Sequence, residues 1–371
     1  MESVALVRCG SYDENEVYRA ILRGLELLEL DARDIVQDQP MLKPNLCLPT
    51  TPESAITTHP QIVRQVARIL GKGRRVVVAD TPIGYLDEKR REALWEKTGM
   101  NALILEGIAF RNDLDSDFVM APINVHGKKM VLPIARACFD SELINIPKWK
   151  THEYMLMTGC VKNLYGVLGG DAKKKFHRHA KDKESFASLL LDIYYLSQCR
   201  FNIVDAVYGL EGYGPGVKGR PRKIGFLAMG RNGIAVDFVM SKLVGIQPQA
   251  VLTNRFSGLS MDDIRIFGEN LDDCIIDDYA LPDINPRMDK VLELALALKS
   301  YRIQLKEDRC VACGECIKNC PMDALRYTGS RVVIDTSLCI SCFVCAESCL
   351  REAVIIDEVK ALDRFVGRDR V

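Results

Sequence analysis

The sequence predicts two unlike domains in tandem: a large α/β domain on a mainly parallel or mixed sheet with helices, then a small C-terminal α+β unit. Three observations carry this prediction. Over the first 285 residues, short β-branched apolar runs alternate with segments of helical period, the pattern of strands and helices layered on one sheet. Eight of the fourteen cysteines crowd between Cys310 and Cys349, so the end of the chain obeys different rules from the rest. A length of 371 residues leaves room for two cores.

Taken in order, Val4–Cys9 reads as a strand and Glu14–Glu29 as a helix. Pro40–Lys43 leads into a loop. A helix is expected over Pro60–Leu70, followed by a buried strand over Arg75–Ala79. Leu143–Ile146, Ile203–Val207 and Ile224–Ala228 are further expected strands, and Gly233–Val244 a helix. Pro282–Pro286 marks a boundary, and the Leu- and Ala-rich stretch Met288–Ser300 reads as a connecting helix. The divisions that follow are 1–285 for the large domain, 286–302 for the connection, 303–358 for the cysteine-rich unit and 359–371 for a tail.

Fifty basic residues balance fifty acidic ones, which argues against a nucleic-acid-binding field. No uncharged apolar run reaches the length of a membrane span. The start, Met-Glu-Ser-Val, shows no secretory signal, so the expected compartment is the cytoplasm. There, so many thiols in a large chain point to metal rather than to disulfides.

The cysteine-rich unit is an internal duplication. Cys310, Cys313, Cys316 and Cys320 recur 29 positions later as Cys339, Cys342, Cys345 and Cys349, with Ala324 and Ala353 in the same register. In C-x2-C-x2-C-x3-C, three thiolates on a tight loop cap three irons of one cube, and the fourth turns away to the cube of the other half. One [4Fe–4S] cluster is therefore expected on Cys310, Cys313, Cys316 and Cys349, the other on Cys339, Cys342, Cys345 and Cys320. A pair of zinc sites is the competing reading, but zinc ribbons use paired C-x2-C. The segment resembles the bacterial two-cluster ferredoxins, and Pro321 matches the proline after the fourth cysteine. Leu350 stands where the second proline would be. The expected chemistry is one-electron transfer at low potential, with a redox partner protein.

Lys43-Pro44-Asn45, Thr57-Thr58-His59-Pro60, the run from Asn145 to His152, and the run from Thr158 to Gly166 are similar to the family called domain of unknown function 362. Asp205-Ala206-Val207 and Glu211–Pro215 fit it too, so the resemblance covers roughly residues 1–250. It implies a domain assignment, often with a ferredoxin tail, and no reaction.

The residues themselves suggest where a ligand would sit. Lys43, Asn45, Lys148, Lys150, His152, Lys162 and Asn163 lie at expected strand or loop ends, where α/β folds bind ligands. Lys148, Lys150 and His152 alternate, so strand geometry projects them from one face; they are candidates to hold a carboxylate or phosphate, with His152 able to move a proton. A solvated strand edge would look the same. Cys160 is the non-cluster cysteine considered as a nucleophile or proton donor, against the plainer role of small apolar filler. Gly214, Gly216 and Gly219 spell G-x-G-x-x-G, but no helix follows, so a dinucleotide site is rejected. The basic run from Lys173 to His179 reads either as a lid or as a solvated loop.

Two functions follow. In the first, the clusters pass electrons to or from a small anionic substrate held by the large domain, as in a reductase. In the second, the protein is an electron carrier or redox adaptor whose large domain docks a partner protein.

Overall fold

The computed structural model describes residues 1–81, 88–114, 117–125, 128–169, 172, 182–282, 300–335, 338–339 and 343–359. Its strands are β1 (Glu2–Arg8), β2 (Pro40–Pro44), β3 (Val76–Ala79), β4 (Ala109–Asn112), β5 (Phe118–Val125), β6 (Lys128–Ala135), β7 (Glu142–Ile146), β8 (Lys148–His152), β9 (Leu156–Thr158), β10 (Phe201–Gly212), β11 (Gly219–Gly230) and β12 (Ile264–Gly268) in the large domain. The cysteine-rich unit adds β13 (Ser300–Leu305), β14 (Leu325–Tyr327), β15 (Val332–Ile334) and β16 (Val354–Val359).

Ten strands form one mixed, mainly parallel sheet ordered β12-β1-β11-β10-β7-β2-β3-β4, with β8 and β9 branching from β10. The alternation within each strand explains why helices cover both faces. Val4 and Leu6 enter one core while Ala5 and Val7 enter the other, and Leu143 and Ile144 divide the same way. One face is covered by the helices Glu14–Leu27 and Pro60–Gly71, through Ile21, Leu25, Val63 and Val66. The other is covered by Lys183–Leu196 and Gly233–Leu243, through Leu189, Leu190 and Phe238.

Helix starts follow from local chemistry. Asp13 accepts from the amides of Asn15 and Glu16, and Asn232 from those of Ile234 and Ala235. Pro60 opens its helix at the position where a missing N–H costs nothing.

Pro40–Pro44, read from sequence as the approach to a loop, is instead an interior strand between β7 and β3. Two prolines hid it: neither can donate to a ladder, yet both sit at the ends of a five-residue strand, where little is lost. The glycine-rich stretch is the turn of the β10–β11 hairpin. The expected connecting helix, Met288–Ser300, lies outside the described residues except for Ser300, which opens β13. The run Lys173–His179 and the tail from 360 also lie outside them.

In the cysteine-rich unit β13 pairs with β16 and β14 with β15, both antiparallel, and short helices Glu315–Asn319 and Val344–Glu347 carry cysteines. Its buried Cys316, Cys345 and Phe343 belong to the same apolar cluster as the large domain's Tyr154 and Phe186. The two units therefore share a core at their junction.

Candidate functional site: a cationic crevice closed by a carboxylate

The expected site residues come together at the ends of β2, β7 and β8, but they divide into three groups with different roles. The first is a set of two closed ion pairs, Lys43 with Asp80 and Lys148 with Asp205. Lys43 Nζ lies 2.5 Å from Asp80 Oδ1 and 3.2 Å from the carbonyl of Pro44, with both side chains almost wholly buried. Asp80 also accepts from the amides of Leu46 and Thr81. The pair is neutral as a unit and satisfied, as buried charges must be. A Cβ on Gly166 would fall 2.6 Å from Lys43 Nζ, so glycine there makes room for the ammonium.

Lys148 is also consumed. Its Nζ meets Asp205 at 3.1 Å and the Tyr12 hydroxyl at 2.7 Å, and Tyr12 donates in turn to Asp205 at 2.9 Å. His59 stacks flat on Tyr12 with ring centroids 3.7 Å apart, and its backbone N–H donates to Asp205. The network fastens β8, β10 and the loop after β1, and commits two of the three Lys148 protons within the fold.

Asn45 and Asn163 belong to a line of four carboxamides. Asn45 Nδ2 donates to Asn163 Oδ1 at 3.0 Å, Asn163 Nδ2 to Asn145 Oδ1 at 2.8 Å, and Asn145 Nδ2 to Asn202 Oδ1 at 2.9 Å. Lys150 Nζ begins the line by donating to Asn45 Oδ1 at 2.7 Å, and also to the carbonyl of Ile56 at 2.8 Å. The line fixes the lysine's position and every amide orientation along it.

The third group is the crevice itself. His152 Nδ1 accepts from the amides of Tyr154 and Met155 at 3.0 and 3.1 Å. The ring proton therefore sits on Nε2, an assignment made from the hydrogen-bond pattern. That nitrogen lies 3.1 Å from Glu347 Oε1 of the cysteine-rich unit. Burial, with Lys162 nearby, pushes the His152 pKa down to about 4, so the ring is a neutral donor to a carboxylate. Lys150 and Lys162 face the same carboxylate; burial lowers both their pKa values and Glu347 works against the fall. The Lys162 ammonium makes no hydrogen bond among the described residues. Cys47 stands beside Lys150, its thiol pushed up by burial. Burial raises the Glu153 carboxyl to about 7, with Lys218 working against the rise and Glu347 adding to it. The glycine turn closes the rim: a Cβ on Gly214 would strike the Thr151 carbonyl at 2.3 Å, and one on Gly216 would reach 3.2 Å from the Glu347 carbonyl.

The structure does not bring Cys160 to this crevice. It is wholly buried beside Asp237, Cys199 and Gly233, and burial drives its thiol pKa well up, opposite to what a nucleophile needs. Its amide and that of Val161 donate to Asp237 at 2.7 and 3.1 Å, so its place is structural. Cys47 is the thiol that the fold puts near the lysines. Among residues missed in the sequence, Glu347 matters most. A signal existed: positions 314 and 318 of the first cysteine half hold Gly and Lys, whereas 343 and 347 of the second hold Phe and Glu. These are the positions at which the repeat meets the large domain, Phe343 packing edge-on to Tyr154 at 6.4 Å.

The cysteines fit two clusters. Burial, with Cys349, Cys313 and Cys310 nearby, pushes the Cys316 thiol up to about 11, so Cys349 of the second half lies near cysteines of the first. In each half the fourth cysteine accepts an N–H···S bond from the equivalent alanine: Ala324 to Cys320 at 3.2 Å and Ala353 to Cys349 at 3.3 Å. Among the described residues no trio of His, Cys, Asp and Glu closes on a single-ion point. Cys342 lies outside the described residues.

The comparisons agree with this division. The profile described as domain of unknown function (DUF362) matches residues 41–242, more than half of the chain. The chain belongs to the DUF362 family. A 4Fe–4S dicluster domain profile matches residues 302–350, so this DUF362 protein carries two [4Fe–4S] clusters and is an iron–sulfur protein of electron transfer. It is 28% identical over 262 residues to Thylakoid-associated protein sll1697 of Synechocystis sp., covering 68% of this chain and 78% of that one. A Thermotoga maritima protein, a structural-genomics target solved by crystallography, aligns with 60% of this chain and 56% of its own at 12% identity, with a TM-score of 0.37. No helix among the described residues is long and apolar enough to cross a membrane.

Proposed function

We propose that this DUF362 protein is a reductase in which a small anionic substrate is held at Lys150, Lys162 and His152 and receives electrons from the attached dicluster unit. The supporting observation is the reach of Glu347. It lies two residues from both Cys345 and Cys349, and its carboxylate is 3.1 Å from His152, so the crevice is one side chain away from cluster ligands. When bound, the two clusters supply low-potential electrons one at a time.

The chain's own residues do the rest. Lys150, held by Asn45 and Ile56, and Lys162 set a positive field in a dry crevice, which favours a ligand that gains negative charge on reduction. His152 presents its Nε2 proton into the same space. Lys43, Lys148 and Asn163 support the site through the pairs and amide contacts described above and do not bind the ligand. Electrons enter from a redox partner protein at the loop Val311–Cys313, which is exposed, with Val311 at 60%. That loop also favours the second reading, a carrier that serves a docked protein. We place the protein in the cytoplasm, where thiolates stay reduced, and the domain limits at 1–285 and 303–358.

Native mass spectrometry of anaerobically isolated full-length protein tests the reading against a Lys162→Ala variant. A mass beyond the chain and two clusters, present in the wild type and lost in the variant, is the expected result. If both masses close without remainder, and the reduced protein passes electrons only to protein acceptors, the carrier reading replaces it.

A further inference from the structure

We infer that the crevice is a carboxylate-binding site whose resident occupant is Glu347, displaced when a carboxylate-bearing ligand arrives. The inference rests on the proposed substrate site and specifies its chemistry. Three features point to it. First, the crevice offers donors arranged around a carboxylate: His152 Nε2 at 3.1 Å from Oε1, with Lys162 and Lys150 facing the same group. Second, His152 is locked as a donor, because two backbone amides occupy Nδ1; the nitrogen left over can serve only an acceptor. Third, two of the three Lys150 protons are directed to Asn45 and Ile56, whereas the Lys162 ammonium makes no hydrogen bond among the described residues. An incoming carboxylate would therefore gain His152 and Lys162, with Lys150 supplying field.

The occupant's position is also specific to one half of the duplication. Lys318, its counterpart 29 residues earlier, carries the opposite charge, so the repeat itself does not require a carboxylate there. Glu347 meets His152 through a single imidazole bond, one that a ligand carboxylate can accept in its place. A tethered competitor lowers the apparent affinity of a free ligand by the fraction of time that it occupies the site.

Acetate serves as the probe. Full-length protein reconstituted with iron and sulfide is titrated by calorimetry and followed by thermal unfolding, with chloride at equal ionic strength as control. We expect Glu347→Ala to bind acetate saturably, at least about tenfold more tightly than the wild type, and Lys162→Ala in the same background to abolish binding. Glu347→Gln keeps the side-chain volume and is expected to shift in the same direction; it decides the matter if Glu347→Ala loses iron. The inference is overturned if variants with full iron respond to acetate no more than to chloride, or if wild type and variants bind it equally. Neither readout needs electron flow. Acetate binding without reducibility of a bound ligand would therefore sink the proposed reductase function alone.

Discussion

Phe343 holds, in the second cysteine half, the left-handed backbone position that Gly314 holds in the first, with φ of 64° and 78°. A bulky residue is strained there, and the compensation is visible: Phe343 is 2% exposed and lies edge-on to Tyr154 of the large domain. The duplication has kept its backbone and changed one side chain into an anchor.

Replacing that anchor separates packing from strain. Phe343→Ala loses the packing and keeps the strain, at about 3–5 kcal/mol. Phe343→Gly loses the same packing but releases the backbone, and should be more stable than the alanine variant by about 1 kcal/mol. Denaturant unfolding of the iron-loaded variants gives the ranking; alanine above glycine would refute the strain.

If ligation is crossed, as the spacing predicts, Cys349 is a ligand of the first half's cluster. Cys349→Ser should therefore perturb the cluster on Cys310, Cys313 and Cys316, and Cys320→Ser the other. Iron should fall from about eight toward about four per chain in either case. Electron paramagnetic resonance of the reduced variants should show different clusters surviving. A Cys349→Ser spectrum that matches Cys342→Ser rather than Cys313→Ser would contradict the crossing.

Glu153 gives a pH signature. Burial raises its carboxyl from 4.5 to about 7, so between those values the folded protein binds a proton that the unfolded chain does not. This contribution is complete below about 4.5 and disappears as pH rises through about 7. Glu153→Gln should flatten that part of the stability–pH curve. Superimposable curves would mean that Glu153 is charged in the fold.

Breaking the carboxamide line should cost more than an ordinary surface change. Asn163→Ala removes the acceptor of Asn45 Nδ2 and the donor to Asn145. Buried polar groups left without partners cost about 1–3 kcal/mol each. Urea unfolding that shows less than about 1 kcal/mol would mean that the neighbours find other partners.

The layered α/β plan was legible because its strands are β-branched runs that split their side chains between two cores, as Val4–Val7 does. The dicluster unit was legible because its cysteine pattern is local and repeated. The site was only partly so. Lys43 and Lys148 read as ligand-facing because a sequence shows a charge without its partner; Asp80 and Asp205, 37 and 57 residues further on, neutralise them. Glu347 read as one more residue of a repeat, since nothing local says that its helix would dock on a crevice built some 200 residues earlier. Cys160 drew notice for its neighbour Lys162, yet the turn that joins them sends the thiol into the core.

The line Asn45–Asn163–Asn145–Asn202 has one more consequence. A carboxamide has a large dipole and no charge to gain or lose, so the line cannot titrate at any pH that the fold survives. It transmits direction rather than charge: with Lys150 at one end, each amide oxygen faces the lysine and each NH2 points away, four dipoles in series. Acidity or a new charge in the crevice can polarise that series without discharging it. The ammonium at its head thus has a fixed bearing while its surroundings change oxidation state.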